Sequence, residues 1–169
     1  MESSLKTVAL SLGSNVGNSR ETLRNTVTRD LTPLHEGAAP LRCSSVYRTA
    51  AWGKREQAAF LNLAVVMESA LLPKQLLRAF QSIEDRHGRV RAERWGPRTL
   101  DIDLLLYGDE QWDEPDLRIP HPYMHERAFV LTPLVEIAPE LVHPVLRKSI
   151  LALASSCADD PSVTRCGPL

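Results

Sequence analysis

Two aspartates, Asp101 and Asp103, stand one residue apart in the run RWGPRTLDIDLLLYG (94–108), whose other residues from Leu100 to Leu106 are all apolar. Side chains alternate along a strand, so Leu100, Ile102, Leu104 and Leu106 are expected on one face and both carboxylates on the other. Neighbouring carboxylates repel, and a cation between them relieves the conflict. A hard divalent ion such as magnesium suits these oxygens and leaves room in its shell for water and phosphate. The alternative is a solvated edge strand whose charges deter edge pairing.

Four arginines, Arg89, Arg91, Arg94 and Arg98, lie in the ten residues 89–98 just upstream. Guanidinium groups pair with phosphate oxygens through bidentate hydrogen bonds, so arginines beside a magnesium-binding pair suit a polyphosphate. Without the aspartates the same arginines read as a solvated loop. In FLNLAVVMES (60–69), Leu61, Leu63, Val65 and Met67 alternate with Phe60, Asn62, Ala64 and Val66, so both faces of a strand are largely apolar with Asn62 the exception. A buried amide needs partners. Asn62 fits either a heterocycle flanked by Phe60 or nearby backbone. No G-x-x-x-x-G-K-[ST] run is present, which excludes a P-loop. The GSNVGN segment (13–18) reads as a turn lining the site.

The elements that must position these residues follow from pattern. TVALSL (7–12) reads as a buried strand. Ser19 is the expected cap of a helix carrying Leu23, Val27, Leu31 and Leu34, ending near Pro33. LRCSSVYRT (41–49) and 60–69 read as an antiparallel strand pair with a long loop between them. Pro73 opens a second helix, with Leu76, Leu77, Phe80 and Ile83 as its stripe and Gly88 as its end. Thr99–Tyr107 is the last strand. The order βαββαβ predicts an α+β, ferredoxin-like antiparallel sheet with two helices on one face, and HERAFVLTPLVEIAPEL and SILALAS add shorter C-terminal helices.

The chain has 169 residues, 20 basic and 21 acidic side chains. That length predicts a single domain, 1–169, with its core over about 5–150 and a loosely ordered tail over about 155–169. The balanced charge argues against duplex nucleic acid and anionic membrane as partners. Cys43, Cys157 and Cys166 lack metal-ligand spacing and read as reduced thiols. No stretch approaches a membrane span or a signal-peptide core, so a cytoplasmic protein is expected. Metal-dependent phosphodiester cleavage would also use paired aspartates and arginines, whereas a ferredoxin-like RNA-binding module would need an aromatic RNP-like motif.

RWGPRTLDIDLLLYG closely resembles the signature of the hydroxymethyl-dihydropterin pyrophosphokinase family of folate biosynthesis. LSLGSNVGN, SSVYRTAAWG, QAAFLNLAV, IEDRHGRVR and IPHPYMHERAFVLTPLVEIAPEL resemble family segments in the same order, over roughly Val8–Val142. The resemblance implies a ferredoxin-like fold and transfer of pyrophosphate from ATP to a pterin alcohol. It implies that Asp101 and Asp103 hold two magnesium ions, that Arg89 and Arg91 ride a mobile catalytic loop, and that Arg94 and Arg98 contact phosphates. Gln81, Glu84, His121 and Arg127 would then bind ATP, and Thr49, Trp52, Phe60, Asn62, Trp95 and Phe129 the pterin. Trp52 and Trp95, both on loops, are suited to stack a flat bicyclic ring. The implied partners are small molecules alone, and a monomer is the favoured state.

Overall fold

The computed structural model describes residues 4–50, 57–89, 97–158 and 160–169. The first expected strand is β1 (Lys6–Ser14), and a helix follows it, α1 (Ser19–Asn25). The cap is Asn18 rather than Ser19, because the Asn18 side chain accepts the Glu21 amide N–H at 3.3 Å. The predicted long helix loosens after Asn25 into a wide π turn over Thr26–Leu31 and a 3-10 turn over Thr32–Leu34. Thr26, Thr28 and Thr32 donate their hydroxyls to carbonyls four residues back, at 2.8, 2.8 and 3.0 Å, a pattern that bends helices.

The predicted strand over 41–49 is two short pieces, β2 (Arg42–Cys43) and β3 (Tyr47–Thr49). Ser44 and Ser45 break it: the Ser44 hydroxyl donates to the Ser45 carbonyl at 2.8 Å, and Ser45 turns its amide and hydroxyl to Glu136. The strand β4 (Phe60–Ser69) and the helix α2 (Pro73–Arg86) follow as read, with Gly88 at φ +77° just past the helix end. β5 is Asp101–Tyr107. A hairpin that the sequence pattern did not reveal comes next, β6 (Trp112–Glu114) with β7 (Leu117–Ile119). Two helices, α3 (Ala128–Ile137) and α4 (Ile150–Ser156), match the added C-terminal helices. The tail carries a strand, β8 (Thr164–Arg165), where loose order was expected.

The main sheet runs β5-β1-β4-β3-β8, with β2 also paired to β4, and every pairing is antiparallel. Helices cover both faces of the central strands β1 and β4. On one face Val8, Leu10, Leu12, Leu63, Val65 and Met67 pack with Leu23 of α1 and with Leu76, Phe80 and Ile83 of α2. On the other, Ala9, Ala64 and Val66 pack with Leu131 and Leu134 of α3 and Leu153 of α4. Burial of this kind stabilises by roughly 1.5–3 kcal/mol per large side chain.

The alternation expected along β5 holds for Leu100, Ile102 and Leu104, which join the α1/α2 face. Leu106 does not follow them. It joins Leu105 on the α3 face, because the register to β1 slips between Ala9, paired with Leu106, and Leu10, paired with Leu104. Such a bulge inserts one residue and reverses the side-chain order beyond it.

Candidate active site

Directly paired residues of an antiparallel sheet share a face, so the register lays out the site row by row. Asp101 on β5 lies opposite Gly13 on β1, Gly13 opposite Asn62 on β4, and Asn62 opposite Tyr47 on β3. One step along, Asp103 faces Ser11 and Ser11 faces Ala64. The carboxylates therefore look out over a floor of small side chains. The floor ends two strands away at the buried Asn62, whose amide donates to the Thr49 hydroxyl at 2.7 Å. Phe60 pairs with Thr49 and lines the same face. A methyl group at Gly13 would sit 2.9 Å from Asn62 Oδ1, so the missing side chain makes room for the amide.

Asp101 is held from two sides. Arg89 Nη1 donates to Oδ1 at 2.9 Å and Arg98 Nη1 to Oδ2 at 2.7 Å. Arg89 also pairs with Glu84, a buried carboxylate on the last turns of α2, and so joins that helix to β5. Gln81 lies one turn before Glu84 on the same side of α2. Burial and the adjacent Asp101 charge push the Asp103 carboxyl up to about 7, against the pull of Arg127, Arg98 and Arg89.

The β6–β7 hairpin returns the chain to the end of β5, where the His121 amide donates to the Leu105 carbonyl at 3.0 Å. Burial and the Arg127 charge push the His121 imidazole down to about 4, although Asp101 pulls the other way. It is neutral at physiological pH. Its Nδ1 accepts the Tyr123 amide N–H at 3.2 Å, which leaves the proton on Nε2. Arg127, just before α3, lies 5.4 Å from the Tyr123 ring centre and 5.7 Å from that of Phe129, within cation–π range.

The structure thus gathers Arg89, Arg98, Asp101, Asp103, Glu84, His121 and Arg127 at one end of the sheet face, and Thr49, Asn62 and Phe60 on strands of the same sheet. Arg91, Arg94, Trp52 and Trp95 lie outside the described residues. Among the described residues no three His, Cys, Asp or Glu side chains cluster. A pair of carboxylates fits an ion that completes its shell with water and phosphate, as magnesium does, better than one needing a full protein cage.

Two residues near the site escaped the sequence reading in these roles. Asn15 accepts the Arg98 amide N–H at Oδ1 (2.8 Å), donates its own amide N–H to the Arg98 carbonyl (3.0 Å), and donates Nδ2–H to the Ala58 carbonyl (3.1 Å). Glu136 on α3 accepts the Ser45 amide and hydroxyl at 3.0 and 2.6 Å and the Tyr47 hydroxyl at 2.9 Å. The only sequence cue to Asn15 was its place in the GSN turn. Glu136 offered none, since one glutamate on a helix is ordinary.

Residues 9–139 match the family model of 7,8-dihydro-6-hydroxymethylpterin-pyrophosphokinase (HPPK). The chain is 44% identical over 142 residues to the 2-amino-4-hydroxy-6-hydroxymethyldihydropteridine pyrophosphokinase of Synechocystis, covering 84% of this chain and 71% of the relative. It is 38% identical over 146 residues to the enzyme of that name from Aquifex aeolicus, covering 86% of this chain and 89% of that one. Among solved structures, Plasmodium falciparum HPPK-DHPS, wild type with pteroate, shares the fold at a TM-score of 0.72 and 15% identity. The match covers 96% of this chain and spans 48% of that longer one. No helix among the described residues is long and apolar enough to cross a membrane. With more than four-fifths of its length matched at this level by named pyrophosphokinases, the chain belongs to the 7,8-dihydro-6-hydroxymethylpterin-pyrophosphokinase family and is an ATP-dependent pyrophosphokinase of folate biosynthesis.

Proposed function

We propose that this chain transfers the β,γ-pyrophosphoryl group of ATP to the hydroxymethyl oxygen of 6-hydroxymethyl-7,8-dihydropterin, giving the pterin diphosphate and AMP on the route to tetrahydrofolate. The pterin oxygen attacks the β-phosphorus in line, the bond from that phosphorus to the oxygen bridging to the α-phosphorus breaks, and AMP leaves with the electron pair. The hydroxyl proton passes to solvent. No covalent enzyme intermediate is needed, so the residues act by positioning and electrostatics.

The observation that carries this reading is Asp101 gripped by Arg89 and Arg98 beside Asp103, on a face that holds the Asn62–Thr49 pair two strands away. Asp101 and Asp103 would hold two magnesium ions, which when bound neutralise and orient phosphate oxygens. Arg89 and Arg98 then exchange a carboxylate for phosphate oxygens, and Arg91 and Arg94 add to them from a closing loop. Gln81, Glu84 and Arg127 flank the nucleotide, and the neutral His121 donates its Nε2–H to a phosphate oxygen. Thr49 and Asn62 hydrogen-bond the pterin ring, which Trp52, Phe60, Trp95 and Phe129 enclose with aromatic faces.

The strand order β5-β1-β4-β3 with α1 and α2 on one face supports a ferredoxin-like core. The chain works as a cytoplasmic monomer on small molecules alone, without nucleic acid or membrane. The test is AMP release from ATP and magnesium, with and without the hydroxymethyl pterin. AMP that forms only when the pterin is present supports the reading, and AMP formed equally without it overturns it.

A further inference from the structure

The last ten residues, 160–169, lie beyond the part of the chain that the family model matches, and they are built into the pterin side of the site. β8 pairs with β3 through Arg165 opposite Tyr47 and Thr164 opposite Arg48. Two further backbone bonds extend the ladder: the Cys166 amide donates to the Val46 carbonyl at 2.7 Å, and the Val46 amide to the Gly167 carbonyl at 2.8 Å. The Arg165 guanidinium reaches the Glu136 carboxylate at 3.8 Å, the group that already holds Ser45 and Tyr47. Arg20 of α1 donates to the Pro168 carbonyl, and Leu169 packs against the α1/α2 core.

The contact nearest the site is made by Ser162. Its Oγ accepts the amide N–H of Ala50 at 3.3 Å, one residue past Thr49. Ser162 is itself set by an Asp160 turn, in which Oδ1 of Asp160 accepts the Ser162 amide at 3.0 Å and its carbonyl accepts the Val163 amide at 3.0 Å. β3 is three residues long, and β4 alone would support it on one edge only. A strand so short, paired on one side, opens readily. The tail supplies the second edge and fixes the point where the chain leaves the sheet after Thr49.

We infer that the tail is a positioning element for the pterin, in which Ser162 and Arg165 hold Thr49 and Ala50 in place beside Asn62. This rests on the pyrophosphokinase reading, and concerns only its second substrate. The phosphate-binding end, Arg89, Arg98 and Asp101, lies at the opposite edge of the sheet, so the tail acts on pterin and not on ATP.

The test uses the full chain with Ser162→Ala, Ser162→Thr and Ser162→Ala/Arg165→Met, measuring KM for pterin, KM for ATP and kcat by AMP release. Binding of a non-reactive ATP analogue and of pterin is followed in parallel. Loss of one or two such hydrogen bonds predicts a pterin KM and Kd raised about 3- to 10-fold, with both ATP constants within about twofold. Ser162→Thr keeps the hydroxyl and restores most of the loss. Unchanged pterin constants in the cooperatively folding Ser162→Ala protein overturn the inference, as do pterin and ATP constants that rise together. Should the double variant fail to fold, Ser162→Ala against Ser162→Thr decides the matter. A wild-type chain that releases no AMP with both substrates refutes the underlying activity instead, and is read before any variant.

Discussion

Asn15 and Arg98 hold each other through two backbone-directed hydrogen bonds, one in each direction, at 2.8 and 3.0 Å. Arg98 in turn holds Asp101, and the same asparagine reaches Ala58 just before β4, so one side chain fixes the ends of two segments that border the site. Asn15→Ala removes the side-chain half of this arrangement and takes from the half-buried Arg98 amide its side-chain acceptor. The expected loss is about 1–3 kcal/mol in urea unfolding, with KM raised for both substrates. A variant that unfolds at the wild-type midpoint with both constants intact would show that the arrangement is incidental.

Asp103 gives a signed dependence on pH. Its folded pKa of about 7 lies above that of an unfolded aspartate, so between about 4 and 7 the native state binds more protons than the unfolded one. In metal-free enzyme its contribution to stability therefore falls as pH rises through that window. Asp103→Asn removes the titration, and the variant should gain stability on wild type from pH 4 to 7 in thermal melts with chelator present. A gap between the two that stays constant with pH would place the Asp103 pKa at its ordinary value.

Arg89 and Arg98 share one carboxylate yet differ in their supports, since Arg89 alone also pairs with the buried Glu84. Arg89→Ala takes from buried Glu84 the cation paired with it among the described residues and should destabilise the fold as well as lower kcat about a hundredfold. Arg98→Ala should lower kcat with a smaller loss of stability and a raised ATP KM. Lysine should rescue Arg89 poorly, because its ammonium lacks the planar fork that suits phosphate oxygens bidentately. Equal denaturation midpoints for Arg89→Ala and Arg98→Ala would contradict the bridging role.

Gly13 tests the floor of the site. Gly13→Ala puts a methyl group 2.9 Å from Asn62 Oδ1, and the amide must swing away from Thr49 to admit it. Pterin affinity should fall about 5- to 10-fold, the effect of a lost hydrogen bond or two, while ATP analogue binding is unchanged. Calorimetric titration of each ligand separates the two. Pterin binding at full strength in the variant would mean that Asn62 is not where the ring is read.

What could be read from sequence was what repeats along a strand or helix. Asp101 and Asp103 stood out because apolar neighbours alternate around them, and β4 because ten residues in a row suit a pleated, covered strand. The bulge that turns Leu106 onto the α3 face leaves no mark in composition, since leucine serves either face equally. β8 is two residues, threonine and arginine, and becomes a strand only because β3 offers an open edge. Glu136 and Asn15 act on residues 91 and 83 positions away, respectively, a distance that no local pattern encodes.

The place of β1 in the sheet has a consequence for synthesis. It precedes both of the strands it pairs with, one ending at Ser69 and the other at Tyr107. At about 5–20 residues per second, translation leaves its β5 edge without a partner for about 5–20 s after Ser14 is made. One of its faces is the apolar row Val8, Leu10 and Leu12, so during that interval the nascent chain presents a ready template for pairing with other chains. Truncated products that stop short of Tyr107 should accordingly be insoluble, whichever activity the finished chain performs.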